Sequence, residues 1–339
     1  MCGIVGYVGS RQAAPIMLDG LKRLEYRGYD SAGIAICADE GLKLCKTKGY
    51  VDRLSEMVQG GAALPGTVGL GHTRWATHGR PSDENAHPHL DDGERIAVVH
   101  NGIIENYAQL REMLSAKGVT FRSETDTEVA VNLISYFYEG DILKAVAEAA
   151  LRLEGSYALG ILCADYPDMV IAVRKESPLI LGLGQGENFL ASDVTALLPY
   201  TRDVIYMEDG EIAILTREGI RVFSRDLVEV KKEVSRVEWD ISAAEKGGYE
   251  HFMFKEIMEQ PEAIRKTISP RLRGGRVTLD ELDLDPAYIR SLKKIYLVGC
   301  GSAYHVGVVA KYIMEKTLRI PVETALASEF RYASPLVDE

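Results

Sequence analysis

Along the first two thirds of the chain, apolar positions come in short runs separated by polar turn residues, the rhythm of strands rather than of long helices. AGIAICADEGLKLCKTKG, from Ala32 to Gly49, reads as a hairpin turning at Asp39-Glu40-Gly41. VIYMEDGEIAILTREGIRVFS, from Val204 to Ser224, repeats the device twice, with turns at Asp209-Gly210 and Glu218-Gly219. Three stretches carry helical spacing instead. NYAQLREMLSAKG puts Tyr107, Leu110 and Leu114 on one face and ends at Gly118. TDTEVAVNLISYFYEG opens with a capping pattern at Thr125 and ends at Gly140, and DILKAVAEAALRLEG follows at once. Near residue 230 the pattern changes. EVKKEVSRVEWDISAAEKGGYE reads as a polar linker, and HFMFKEIMEQPEAIRKTIS as a helix that Pro261 breaks or restarts. From Lys293 the grammar is βαβ: KKIYLVGCGSAYHVGVVAKYIMEKT reads as a buried strand, a glycine turn and a helix, and IPVETALASEF opens another strand. No internal repeat or low-complexity tract interrupts this order.

A length of 339 residues accommodates two domains, and 46% hydrophobic with 26% charged residues is the balance of a water-soluble globular chain. The net charge of -11 disfavours nucleic acid as a partner, because phosphate binding draws on clustered Lys and Arg. Five scattered cysteines without a CxxC pair exclude a disulfide framework or a zinc site of ordinary spacing, so Cys37, Cys45 and Cys163 read as small buried hydrophobes in strands. Asp19 and the charged LKRLEYRGYD arrive too early for a signal peptide, and no apolar run reaches the ~20 residues of a membrane span. A cytoplasmic chain without a leader or membrane partner is expected.

Cys2 is the first candidate for chemistry. Removal of Met1 would leave a thiol and a free α-amine on one residue. A free thiol titrates near ~8.5 and an α-amine near ~7.7–8.0, so the amine can take the thiol proton and later return it to a leaving group. His72, His78, His87, His89 and His100 fall close together and raise a metal hypothesis, but no acidic partner stands at HExxH-like spacing, and they read as packing or loop histidines.

MCGIVG, RGYDSAGIA from Arg27, GHTRWATHG from Gly71, VVHNGIIEN from Val98 and SETDTE from Ser123, taken together, resemble the N-terminal-nucleophile (type II) glutamine amidotransferases. With KEIMEQP and VGCGSAYHVG added, the set resembles, over the whole chain, the members that aminate fructose 6-phosphate. The resemblance implies an α+β fold: a four-layer αββα sandwich over residues 2–225, a linker and helical segment over 226–285, and the truncated start of an α/β SIS (sugar-phosphate isomerase) domain over 286–339. It implies hydrolysis of L-glutamine by Cys2, with the Asn101 side chain and the Gly102 N–H as the oxyanion hole. Arg74 and Asp126 would read the α-carboxylate and α-ammonium, with further contacts from Thr77 and His78. Trp75 and Arg27 would gate or order passage of ammonia. Cys300, Gly301 and Ser302 would line a sugar-phosphate site in an enzyme that makes glucosamine 6-phosphate for amino-sugar synthesis. It implies no metal and no cofactor, and homo-oligomerisation through complete SIS domains.

Three alternatives stay open on the residues. VGCGSAYHVG, with Gly299, Gly301 and Glu323, partly fits a dinucleotide fingerprint, although Tyr304 stands where the third glycine belongs. The amidotransferase domain could serve another acceptor, such as phosphoribosyl pyrophosphate. The glycine turn could belong to a non-catalytic sugar-phosphate sensor.

Overall fold

The computed structural model describes residues 2–238, 248–279, 282 and 285–337. The chain divides into two units, one up to Gly248 and one from Tyr249.

The first unit is built on two antiparallel sheets. One has eight strands in the spatial order Ser235–Arg236, Asp203–Tyr206, Ile180–Leu183, Asn188–Ala191, Gly3–Val8, Val68–Arg74, Ser31–Ala38 and Gly41–Lys48. The other has seven, in the order Glu229–Val230, Ile220–Phe223, Ile212–Thr216, Met169–Lys175, Gly155–Cys163, Ile96–Ile104 and His89–Leu90. Alternation along the strands sorts side chains to two faces, and here both are covered. In the first sheet Val5, Tyr7, Ile34 and Ile36 pack in one core with helix Ala13–Leu24. Ile4, Val8, Ala35 and Cys37 instead share a second core with Ala97, Val99, Ala158 and Ala172 of the other sheet. The outer face of that sheet, including Val98, Leu159 and Ile171, is covered by helices Asp126–Phe137 and Ile142–Ala150. Helix, sheet, sheet and helix therefore stack as the αββα sandwich expected from the motifs.

The Asp39-Glu40-Gly41 and Glu218-Gly219 hairpins form. Asp209-Gly210 does not close one: Asp203–Tyr206 lies in the first sheet and Ile212–Thr216 in the second. The chain crosses between sheets there, captured by Arg174, whose N–H donates to the Glu211 carbonyl and whose carbonyl accepts from Gly210 N–H. Glu229–Val230 and Ser235–Arg236, inside the stretch that reads as a polar linker, add edge strands to the two sheets; the rest of that stretch, 239–247, lies outside the described residues. Cys37 and Cys163 are buried, while Cys45 is only half-buried.

In the second unit helix Phe252–Ile268 runs through Pro261 without ending, forgoing the one N–H that proline lacks. Ile295–Gly299 pairs in parallel with Val322–Leu326 across helix Gly301–Leu318, the βαβ unit expected. The first of these strands is not buried as its apolar run suggests: Val298 is 44% exposed. Among the described residues it has one neighbouring strand. No helix among the described residues is long and apolar enough to cross a membrane.

Candidate active site

Strand Val68–Arg74 ends in three polar residues, His72, Thr73 and Arg74, all buried. Burying a polar strand end costs free energy unless something there uses it. Gly3 pairs with Thr73 on one side and Ser31 with Arg74 on the other, so the register brings Cys2 beside Arg74. From the other sheet, Ile96–Ile104 brings His100, Asn101 and Gly102 to the same end of the sandwich, where Asn101 Nδ2 donates to the Cys2 carbonyl at 3.1 Å.

The Cys2 sulfur is held by the backbone of one residue, Trp75. Trp75 N–H donates to Sγ at 3.2 Å, and the thiol faces the Trp75 carbonyl at 3.5 Å. Burial pushes the thiol pKa up, and the Trp75 N–H and the Arg74 charge only partly offset it. That backbone is itself clamped on both sides of Trp75. Asp30 donates its N–H to the Arg74 carbonyl at 3.0 Å and accepts from Ala76 N–H at 2.6 Å. Gly28 lies so close that a Cβ would stand 2.8 Å from the Arg74 carbonyl carbon.

Arg74 is 3% exposed. Its Nη2 donates to the carbonyls of His78 and Gly79, while the buried Nη1 has no hydrogen-bond partner among the described residues. Burial pulls its pKa down; Cys2, Asp126 and Asp30 are the groups that pull it back up. A buried guanidinium with an idle N–H pair suits an incoming carboxylate. Asp126, 5% exposed, opens the helix capped by Thr125; its Oδ2 accepts from Ile104 N–H at 2.9 Å and lies 3.8 Å from His100 Nδ1. Asp126 acts electrostatically on Arg74, and Arg74 on the thiol, so a buried carboxylate and a buried cation lie at the same end of the sandwich as Cys2.

Gly102 has φ +122, and a Cβ there would meet the Ser156 carbonyl oxygen at 2.0 Å, so only glycine fits. Thr77 is exposed and His78 half-buried on the loop that follows the strand; His78 packs edge-on to Tyr107, 5.2 Å between centroids. Trp75 is 46% exposed and meets Tyr29 edge-on at 5.5 Å, and Tyr29 stacks on Tyr50. Arg27 ends a short 3₁₀ turn and pairs with Asp193 at 2.7 Å. Cys300, Gly301 and Ser302 are not part of this constellation. They lie in the second unit, exposed at the strand–helix turn, where Gly301 has φ +56.

Several supports carry little sequence signal. Asn85 joins the loop to the helix start, donating to the Arg80 carbonyl at 3.0 Å and Glu124 Oε2 at 3.1 Å and accepting from Glu124 N–H at 2.9 Å. Lys46 Nζ donates to the carbonyls of Glu84 and Ala86, its pKa lowered by burial to about 8. Glu128, the last residue of the capping pattern, reaches back past Thr125 to the N–H groups of Arg122 and Ser123. Asp30 and His72 lie inside the motifs, so a signal for them was present, though not their roles.

Residues 72–199 match the glutamine amidotransferase domain and residues 288–339 the SIS domain. Over 343 residues the chain is 54% identical to a glutamine–fructose-6-phosphate aminotransferase (isomerizing) of Caldanaerobacter subterraneus, covering 100% of this chain and 56% of that one. A protein of the same name from Thermus thermophilus is 50% identical, with 100% and 55% covered. The chain thus spans just over half the length of these relatives. Among solved structures, an allosteric regulatory enzyme of purine biosynthesis superposes with a TM-score of 0.60 at 27% identity, over 66% of this chain and 49% of that one. The glutamine phosphoribosylpyrophosphate amidotransferase of B. subtilis also gives 0.60, at 22% identity over 95% and 65%; it shares the fold.

Proposed function

The chain pairs a glutamine amidotransferase domain with part of a SIS domain, as the N-terminal portion of the isomerising glutamine–fructose-6-phosphate aminotransferases does, and on that footing we propose that its first unit is a glutaminase. The observation that carries the reading is the convergence on one thiol of an amide anchored to the Cys2 carbonyl and a buried guanidinium with an idle N–H pair.

L-Glutamine enters with its α-carboxylate on Arg74 and its α-ammonium toward Asp126, within reach of Thr77 and His78. Cys2 Sγ attacks the side-chain carbonyl carbon, and the C=O electron pair moves to an oxyanion held by Asn101 Nδ2 and Gly102 N–H. The thiol proton passes through the α-amine exposed by removal of Met1 to the departing nitrogen. Ammonia leaves, and water then cleaves the thioester to glutamate and thiol. A raised thiol pKa makes that base necessary, since among the described residues the hydrogen-bond partners of Sγ are the Trp75 backbone groups alone.

In the whole protein the ammonia goes to fructose 6-phosphate, past Trp75 and Arg27, and the product is glucosamine 6-phosphate. The sugar phosphate meets the Cys300–Gly301–Ser302 turn of a SIS domain that starts near residue 286, after a glutaminase domain that runs past the 225 expected from the motifs, since Glu229–Val230 and Ser235–Arg236 belong to its sheets. The enzyme works in the cytoplasm as a homo-oligomer assembled through those domains.

The test is glutamate release from L-glutamine by the chain freed of Met1, alongside Cys2→Ala. The parent should be active and the variant inactive, with superimposable circular dichroism. Activity of the variant within about tenfold of the parent would refute the nucleophile assignment.

A further inference from the structure

An asparagine amide has two ends of nearly equal shape, and only one donates. If Asn101 is to hold an oxyanion, something must decide which end faces Cys2. We infer that His72 is the positioning residue that sets the Asn101 amide with its NH₂ toward Cys2, and that the rate of glutamine hydrolysis depends on it. This rests on the glutaminase reading above.

The argument begins with an atom whose role is fixed. His72 Nε2 lies 3.0 Å from the His100 carbonyl oxygen and 3.0 Å from Asn101 Oδ1. A carbonyl can only accept, so Nε2 carries the hydrogen and shares it between the two oxygens. The ring is fully buried on strand Val68–Arg74, and burial lowers its pKa to about 3, so the imidazole is neutral. A neutral ring with its hydrogen on Nε2 leaves Nδ1 as a bare lone pair, and Nδ1 has no hydrogen-bond partner among the described residues. Nothing there draws the hydrogen away from Nε2.

Asn101 then has one satisfactory orientation. With Oδ1 on His72, its Nδ2 meets the Cys2 carbonyl at 3.1 Å, donor to acceptor. Turned over, Nδ2 would face the His72 N–H and Oδ1 the Cys2 carbonyl, two repulsive contacts in place of two bonds. One Nδ2 hydrogen is used on Cys2, and the other remains for the oxyanion. His72 is held in its turn by the His87 ring, 4.3 Å away between centroids, and by the backbone bond to His100. His72 touches neither sulfur nor substrate; it acts through Asn101.

The test is a double-mutant cycle on the full chain freed of Met1, read as kcat and KM for glutamate release. His72→Leu should lower kcat about 10–10²-fold, below the ~10²–10³ of losing an oxyanion donor outright because a freed amide still samples the correct end. KM should move less than threefold, since Arg74 and Asp126 are untouched. In the Asn101→Ala background, His72→Leu should cost nothing further. His72→Gln, whose amide N–H reaches the Nε2 position, should recover most of the rate, whereas the shorter His72→Asn should not. Equal losses in both backgrounds, or a kcat for His72→Leu within threefold of the parent, would overturn the inference. If His72→Leu does not fold, the comparison decides between His72→Gln and His72→Asn, and equal rates for these two would overturn it. An inactive parent would instead overturn the glutaminase reading.

Discussion

Acidification should unfold this protein more steeply than its carboxylates alone would explain. His72, His87, His89 and His100 are fully buried side by side; His87 lies 4.3 Å from His72, 5.0 Å from His89 and 6.5 Å from His100, between centroids. Burial is the main cause that lowers the pKa of all four, to about 3 for His72 and well below the usual value for His87 and His89. Arg74 and Lys46 push the same way, while Asp126 partly opposes the shift at His100. In the unfolded chain each ring titrates near ~6.5. Between that value and the depressed folded one, the unfolded state holds protons that the folded state does not. Stability is therefore fully present above pH ~6.5 and falls as the pH drops below it. From pH 7.5 to 5.5 each ring that stays neutral costs about 1.4 kcal/mol, so His72, His87 and His89 together remove roughly 4 kcal/mol, with His100 adding in the same direction. That is comparable to the whole ~5–15 kcal/mol stability of a folded domain. Urea titrations at pH 7.5, 6.5 and 5.5, followed by near-ultraviolet circular dichroism, would measure it, and His87→Phe should flatten the decline by about a quarter to a third. A loss below about 1.5 kcal/mol over this range, or an unchanged slope in His87→Phe, would refute the claim that these rings are held neutral.

Two substitutions probe the site directly. Gly102→Ala places a Cβ 2.0 Å from the Ser156 oxygen at φ +122, so the strand must shift; we expect a loss of about 2–5 kcal/mol in thermal unfolding and at least a hundredfold lower kcat, and near-parent values of both would contradict the assigned fit. Arg74→Lys replaces a planar fork by a point charge and should raise KM for glutamine by ten- to a hundredfold, about 1.5–3 kcal/mol, with kcat changed far less; a collapsed kcat at constant KM would show that Arg74 serves the transition state instead.

What could be read from the sequence was what each segment contains; what could not was which segment it meets. The strands with both faces covered were legible as short apolar runs, and the Thr125 cap as a local pattern. The crossing at Asp209-Gly210 was not, because a turn signal fixes a change of direction and says nothing of the sheet the next strand joins. Pro261 marks a lost N–H, which a helix can tolerate, so it does not fix an end. Val298 looked buried because apolar character reports capacity for burial, not the presence of a covering element. Cys2, Arg74, Asn101 and Asp126 stood out because each sits in a dense motif, yet their convergence depends on strand registers across two sheets. Asn85 is the opposite case, a common residue in an unmarked loop whose two bonds to Glu124 are made to a group brought in by folding.

The way the sulfur is held bears on why the residue can be both reactive and durable. Thiolates, not thiols, are oxidised and alkylated readily, so a cysteine kept permanently ionised near a surface is exposed to damage between turnovers. Cys2 is half-buried, its pKa is raised, and its hydrogen-bond partners among the described residues are both backbone groups of Trp75. The Trp75 N–H stabilises negative charge on sulfur and the Trp75 carbonyl can accept the thiol proton, so this residue's backbone serves both states, while burial raises the thiol pKa. Because Gly28 packs against that backbone and Asp30 binds it through both its own N–H and its side-chain carboxylate, the sulfur keeps its place in either state. On the glutaminase reading, ionisation is left to a base. A carboxylate arriving at Arg74 would neutralise the guanidinium that now lowers the thiol pKa, and so would not itself generate thiolate. On that reading the thiol proton goes to the α-amine of the same residue as sulfur attacks, a role to which a histidine whose pKa is lowered by burial is poorly suited.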